Sequence, residues 1–359
     1  MGLVIKKPGV TTTVQDMGRF GYMGSGFSPS GVMDSRAFHI ANILVENGPN
    51  DCVLEFALAG PTVRFTTGTF IALTGADFSP TINGEAVPMY TALQVERGSI
   101  LSFGAPRRGV YGYLAIAGSS LNVPEVMGSR STNMKCEIGG WRGRALDPGD
   151  YIPFTTKSVD YLPNLGSHSV PYDTFYGKAG GIVELRAVPG PQDNMFTQAG
   201  LDTFFGEEFT TTVKSDRMGY RMDGPEVETK SGSDIISDGI AFGAVQIPSH
   251  GRPIIMLADR QTTGGYAKIA TVASVDIPKL VQCQPGTKVR FQRISVHEAQ
   301  DLCRREARVF DDLAKSVRRP STDGISPRRT ARRLKPILEK QALLSQHESL
   351  WIDSSKEEQ

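Results

Sequence analysis

Short apolar, β-branched runs, each cut off by glycine, proline or asparagine, follow one another through most of this chain, and that punctuation limits what it can fold into. Thirty-nine glycines and 22 prolines are spread over 359 residues. Glycine weakens a helix interior through backbone entropy and proline removes a helix donor, so long helices are excluded over most of the length. Runs at 53–58, 62–65, 70–74, 92–95, 100–103 and 111–116 have the length and composition of strands. Asn83-Gly84 is a tight-turn pair between two such runs. The pattern predicts a mainly β chain with few short helices. The clearest helix is 35–45, capped by Asp34 or Ser35, with Phe38, Ala41, Ile43, Leu44 and Val45 apolar and Gly48-Pro49-Asn50 ending it.

An internal echo divides the chain. Ala59-Gly60-Pro61-Thr62-Val63 parallels Asp223-Gly224-Pro225-Glu226-Val227, and residues 117–132 parallel 258–272. Ser215 to Tyr220 echoes Asp16 to Tyr22, and Pro148-Gly149-Asp150 and Pro285-Gly286-Thr287 each precede a strand. Two copies separated by more than a hundred residues predict two similar domains. The expected boundaries are 1–160, a polar linker at 161–180, a second domain at 181–297, and a helical, basic tail at 298–359. In the tail, Arg318, Arg319, Arg328, Arg329, Arg332, Arg333 and Lys335 favour docking on an acidic partner surface, since aromatic residues that could stack on bases are absent until Trp351.

With a net charge of +1, the chain has no bulk attraction to nucleic acid or membrane. No apolar run reaches membrane-spanning length. Four scattered cysteines form neither a disulfide framework nor a zinc site, which fits a reducing compartment, and the expected location is cytoplasmic. No metal site is expected. There is no GxxxxGK[ST] loop and no HExxH, and Met134-Lys135 matches a biotin-attachment turn over two residues only.

Residues 254–272 hold the densest chemistry. The apolar run 254–258 and the β-branched run 269–272 read as strands. Between them stand Asp259, Arg260, Gln261, Thr262, Thr263, Gly264, Gly265, Tyr266 and Lys268. Paired glycines can turn backbone N–H groups toward a ligand, and the surrounding acid, cations, amide and hydroxyls suit an oxyanion or phosphate. A solvated hairpin tip is the plain alternative. Arg130 and Ser131, in Gly128-Ser129-Arg130-Ser131-Thr132, make a second polar cradle at the echoing place. Arg217 adds a cation, Asp77 stands where a strand opens into a loop, and Gln246 is an amide ending an apolar strand, needing a ligand or backbone partner. Asp16 and Arg19 are expected to brace their glycine-rich loop as an ion pair. The inventory suits carboxyl, carbamoyl or phosphoryl chemistry: cations and N–H groups stabilise developing negative charge, and an Asp at a strand end orients an amide nitrogen or acts as base.

Several ordered motifs together resemble one family. They are Thr13-Val14-Gln15-Asp16 with Gly18-Arg19 and Gly21-Tyr22, Ser30-Gly31-Val32-Met33-Asp34, Gly128-Ser129-Arg130-Ser131-Thr132, Gly190-Pro191-Gln192-Asp193, Asp216-Arg217-Met218-Gly219, and Asp259 to Tyr266. The chain resembles the KipA-like family over residues 4–295. That family is also described as the C subunit of 5-oxoprolinase, the second subunit of allophanate hydrolase, or biotin-dependent carboxyltransferase. Gly118-Ser119-Ser120-Leu121 departs from a Gly-Gly-Ile-like step common in the family. The resemblance implies two tandem cyclophilin-like β-barrels and a KipI-like partner (the B subunit of 5-oxoprolinase). With an amidohydrolase-like subunit, such a complex would hydrolyse 5-oxoproline to glutamate using ATP. In that reading Asp259, Gln261, Thr262 and Lys268 are the catalytic candidates. Nucleotide or substrate would meet Gln246, Arg260, Thr263, Gly264, Gly265, Tyr266, Arg217, Arg130, Ser131 and Asp77, with ATP shared with the partner. Fused relatives imply an alternative, carboxyl transfer from carboxybiotin to an amide acceptor oriented by Asp259, Gln261 and Thr262. A third reading is a regulator that binds a KipI-like inhibitor and does no chemistry. Asp259→Ala is expected to leave the fold intact and remove activity of the complex.

Overall fold

The computed structural model describes residues 1–118, 121–156, 168–171 and 181–318. Its first half is two sheets packed face to face. One runs, in spatial order, Tyr151–Pro153, Gly2–Lys7, Thr62–Phe65, Ile100–Ser102, Thr81–Ile82 and Glu85–Ala86; the other runs Thr11–Gln15, Val53–Ala57, Arg108–Ile116, Thr69–Asp77 and Ala92–Val95. Strand Thr69–Asp77 shows why this half is so apolar. It is buried from Thr69 to Ala76 because both its faces are covered. Ile71 and Leu73 point into the core between the sheets, while Phe70 and Ala72 point the other way. Helix Ser35–Leu44 covers that second face, and the Thr74 hydroxyl donates to its Ala37 carbonyl at 2.8 Å. Asp34 caps the helix as expected, accepting from the Ala37 amide. Asn83 and Gly84 make the expected reversal, both with positive φ, at 54° and 90°.

The second half closes into a seven-stranded barrel. Its order is Val183–Pro189, Lys268–Val272, Ala244–Gln246, Ile254–Met256, Gly219–Asp223, Glu208–Thr211 and Lys288–Arg293, with the last pairing parallel to the first. In its core, Phe204 of helix Gln198–Gly206 stacks on Phe291 with ring centroids 4.4 Å apart. The mainly β architecture is the one the punctuation predicts, and the two β units in tandem follow the internal echo.

One apolar core runs from helix Ser35–Leu44 into the barrel, so Met1–Arg318 forms a single compact unit. Polar bonds stitch the same seam. The Ser30 amide donates to the Ala258 carbonyl at 3.1 Å. Gln282 accepts from Val110 and Tyr111 amides at 2.8 and 3.1 Å and donates to Asp34 Oδ2 and the Tyr111 carbonyl, both at 2.8 Å. Within the expected linker, residues 168–171 lie against the first half: His168 is buried, and the Val170 amide donates to the Tyr90 carbonyl at 2.9 Å. The expected helix of the tail is Val296–Arg318, whereas Arg319 and the remainder of the basic stretch lie outside the described residues. Among the described residues no helix is long and apolar enough to cross a membrane.

The echo holds at the turns. Gly149 and Gly286 have φ of 89° and 90°, each just before a strand. Asp216 Oδ1 accepts from the Met218 amide two residues on, as Asp16 Oδ1 does from Gly18. Beside the first turn, Arg144 grips Asp150 with two bonds of 2.8 and 2.9 Å. Burial alone would push the Asp150 carboxyl up, but Arg144 and the Asp147 amide overcome it and hold the pKa down to about 2, from an ordinary 3.8. A depressed folded-state pKa means stability that is present above pH 3.8 and lost as pH falls through about 2. Thermal melts should therefore show Asp150→Asn less stable than wild type at pH 5, with the gap closing by pH 2.

Candidate functional site

Strand Ile254–Met256 leads into a turn, 257–260, that lies against the Asp216 turn. The Leu257 amide donates to the Met218 carbonyl, and the Asp259 amide to the Arg217 carbonyl, both at 2.9 Å. This backbone pairing sets Asp259 and Arg217 side by side. Arg217 Nε donates to Asp259 Oδ2 at 2.7 Å and Nη2 to Oδ1 at 3.1 Å. Its Nη2 also reaches the Gly31 carbonyl at 2.7 Å, and its Nη1 meets Glu55 Oε1. One guanidinium thus holds an acid from each half of the molecule.

Glu55 sits in strand Val53–Ala57 and is 3% exposed. Its second oxygen accepts from the Met33 amide at 2.7 Å and the Tyr113 hydroxyl at 2.8 Å; that hydroxyl accepts from the Asp34 amide. Burial pushes the Glu55 carboxyl up against the pull of Arg217 and those two donors. For Arg217, burial works against the charge, yet Asp259 and Glu55 hold its pKa above the ordinary arginine value. Burial, then the Glu55 charge, push the Tyr111 hydroxyl up as well, so it stays a neutral donor. These groups line a cleft of about 500 Å³ that includes Glu55, Tyr111, Arg217, Asp259, Met134 and Lys135. All three Arg217 nitrogens are engaged, so its role is to orient. Asp259 is the acceptor left facing the cleft, fit to take an N–H from a ligand amide.

The other expected residues disperse. Thr263–Tyr266 is not a loop: it is a strand, paired with Asp234–Gly239 in a two-stranded ribbon. Gly264 and Gly265 are therefore extended and do not turn N–H groups onto a ligand. A side chain at Gly264 would come within 2.7 Å of Ile240 and 2.8 Å of Gln246, so that glycine answers to packing. Thr262 is half-buried with its carbonyl accepting from the Ile240 amide at 3.1 Å, and Gln261, Thr263 and Tyr266 are exposed.

Lys268 is buried and bonds Asp238 at 3.0 Å, which holds that carboxyl below its ordinary range. Its backbone amide donates to Gln192 at 3.1 Å. Gln246 pairs with Lys268 in the barrel register, and its buried Nε2 has no hydrogen-bond partner among the described residues. Lys268 and Gln246 thus form a second cluster around the ribbon, apart from the cleft lining.

Asp77 ends its strand and accepts from the Ser79 amide at 2.8 Å, beside a separate groove of about 560 Å³. The expected cradle of Arg130 and Ser131 is corrected most clearly. Ser131 is fully buried and donates to Asp16 Oδ1 at 2.6 Å, the Arg130 amide donates to Asp16 Oδ2 at 2.6 Å, and the Arg130 guanidinium faces Glu125 at 3.3 Å. This loop closes on a protein carboxylate. Arg19, also fully buried, bonds the Ser131 carbonyl at 2.8 Å, so Asp16 and Arg19 each brace the 126–131 loop.

Sequence reasoning passed over Glu55, Tyr113 and Gln282. The available signal was Glu55 itself, an acid inside the apolar run Val53-Leu54-Glu55-Phe56-Ala57.

A family model described as "Carboxyltransferase domain, subdomain A and B" matches residues 25–293. The chain is 37% identical to the C subunit of 5-oxoprolinase from Escherichia coli (strain K12) over 312 residues, which is 87% of this chain and 97% of that protein. It is 34% identical to the C subunit of 5-oxoprolinase from Haemophilus influenzae over 305 residues, 85% of this chain and 95% of that protein. Among solved structures, the Kluyveromyces lactis urea carboxylase superposes with a TM-score of 0.78 at 30% identity, covering 91% of this chain; the chain spans only 30% of that larger one. With a match across both halves and across the seam that holds the Arg217 triad, the chain belongs to the carboxyltransferase domain, subdomain A and B, family.

Proposed function

We propose that this chain is the C-type subunit of an ATP-dependent 5-oxoprolinase, acting with a KipI-like subunit and an amidohydrolase-like subunit. The matched length carries the reading: two proteins named as the C subunit of 5-oxoprolinase are covered over 97% and 95% of their length. In this reading Asp259 accepts the lactam N–H, Arg217 fixes the Asp259 carboxylate, and the neutral Tyr111 hydroxyl borders the same cleft. The cleft does not fit nucleotide phosphates. Glu55, Asp216 and Asp259 outnumber Arg217 and Lys135 on its wall, and the three Arg217 nitrogens are already bonded. The phosphates of ATP therefore fall to another subunit.

Mixing the full chain with both partner subunits should give ATP hydrolysis that depends on 5-oxoproline. Asp259→Asn, which keeps the side chain's shape, should lower that turnover by about 100-fold while the complex still assembles. No 5-oxoproline-dependent turnover in the complete mixture would reject the proposal.

A carboxyltransferase reading has its own support in the family description and the urea carboxylase likeness. A ureido ring offers N–H groups that the Asp259 acceptor fits, and carboxybiotin would supply the carboxyl group. Avidin-sensitive carboxyl transfer by the same mixture would favour it.

A further inference from the structure

Asp259 and Arg260 are neighbours that line different cavities. Arg260 borders a space of about 360 Å³, enclosed by the first-half segment around Ser30 and His39, by Phe242, and by Phe310 of helix Val296–Arg318. It shares no lining residue with the Asp259 cleft.

Arg260 is 6% exposed, and among the described residues no carboxylate lies within ion-pair distance of it. Arg36, Arg186 and Arg217 each rest on an acid. Arg260 instead donates from Nε to the Ile240 carbonyl at 2.9 Å and from Nη1 to the Leu257 carbonyl at 3.1 Å; among the described residues its Nη2 meets the Met23 sulfur at 3.7 Å, and the guanidinium lies over the Phe242 ring, 5.6 Å from its centroid. A guanidinium has five N–H donors, so part of its fork is unanswered. Burial alone brings its pKa down to about 10. A desolvated charge without a counter-charge is costly, and an anion seated beside it would relieve that cost.

A second group independently marks the same cavity. Among the described residues the buried Ser30 hydroxyl has no hydrogen-bond partner. Ser30 also has a left-handed backbone, φ 55°, which a residue with a side chain adopts at a cost and which clusters at functional sites. Much of the remaining wall is apolar, with Val32, Phe242 and Phe310; of its other polar groups, Ser274 and Cys303 bond each other at 3.3 Å, burial lowers the His39 pKa, and the one acid, Glu306, is bonded to Arg36 at 2.6 and 3.0 Å. One cation, one free hydroxyl and an apolar wall suit a single negative charge on a compact apolar body. The volume is on the order of ten waters, enough for a five-membered ring with its substituent.

We infer that this cavity binds a small ring monocarboxylate, its carboxylate on Arg260 and Ser30 and its ring against Phe242, Val32 and Phe310. 5-Oxoproline belongs to that class; because the proposed function seats the reacting lactam at Asp259, a copy held here would be a second, non-reacting molecule, and the carboxylate site itself does not rest on that function.

Binding to the full chain alone tests it, so failure here is separate from failure of reconstituted turnover. Cyclopentanecarboxylate should bind with a Kd of ~1 mM, and neutral 2-pyrrolidinone at least about tenfold more weakly. Arg260→Met should lose at least about tenfold for the carboxylate and hold its stability, because a desolvated charge leaves together with the two carbonyl bonds. In the wild-type chain labelled with ¹⁵N-arginine, the carboxylate should shift the Arg260 Nε–H resonance, a readout that needs no variant to fold. Equal binding by Arg260→Met, equal binding of 2-pyrrolidinone, tighter binding of inorganic phosphate, or an unmoved Arg260 resonance overturns the inference.

Discussion

Arg217→Ala should cost about 3–5 kcal/mol of stability, read as a lower denaturant midpoint, and should abolish activity of the complex. The reason is what remains behind. Glu55 is buried in the middle of a sheet and would keep only the Met33 amide and the Tyr113 hydroxyl. Asp259 would lose both of its arginine bonds. Folded domains hold only about 5–15 kcal/mol in total, so a loss of this size is a large share. Arg217→Lys should recover little, since one ammonium cannot span Glu55, Asp259 and the Gly31 carbonyl at once. A double-mutant cycle supplies the sharper check. Glu55→Gln with Arg217→Met removes both buried charges of that pair, and should cost clearly less than the two single changes added together. Additive costs would mean that the guanidinium and the Glu55 carboxylate are not coupled across the seam.

This result also revises what Asp259→Ala can show. From the sequence, Asp259 reads as a loop residue whose removal leaves the fold untouched. In the structure it is one of two acids on a buried arginine, so alanine would disturb folding and chemistry together; asparagine keeps the shape but sets an amide NH2 against the Arg217 donors, so its turnover is read beside its denaturant midpoint. The difference is typical of what was legible. Strands, the Asp34-capped helix, the Asn83-Gly84 reversal and the paired Pro-Gly turns follow from local propensities, and local sequence carries them. The pairing of Asp259 with Glu55 depends on two strands some two hundred positions apart meeting at a seam, and no window of sequence contains it. The 263–266 stretch shows the opposite error. Its glycines resemble a ligand-binding turn, but tertiary pairing with Asp234–Gly239 draws them into an extended ribbon. Lys268 and Arg260 are near neighbours in sequence, yet the barrel register sets Lys268 beside Gln246 while the 257–260 turn sends Arg260 to a separate cavity.

Asp16→Ala should be nearly as damaging, by about 3–5 kcal/mol, although Asp16 lines neither the Asp259 cleft nor the Arg260 cavity. Its carboxylate is buried and accepts from the Gly18 and Arg130 amides and from the Ser129 and Ser131 hydroxyls, all within 2.6 to 2.8 Å. Alanine takes the carboxylate acceptor from all four donors, and only the Ser131 hydroxyl keeps another, the residue 16 carbonyl at 3.4 Å. It also removes the largest charge opposing the burial that lowers the Arg19 pKa, leaving that guanidinium less well offset. Ser131→Ala distinguishes a brace from a ligand cradle. If the Gly128-Ser129-Arg130-Ser131-Thr132 loop held a ligand, losing the Ser131 hydroxyl would weaken substrate binding at constant stability. Because that hydroxyl bonds Asp16, the change should instead lower stability by about 1–2 kcal/mol and leave KM of the reconstituted complex where it was. A KM that rises while the denaturant midpoint stays fixed would return the loop to the ligand.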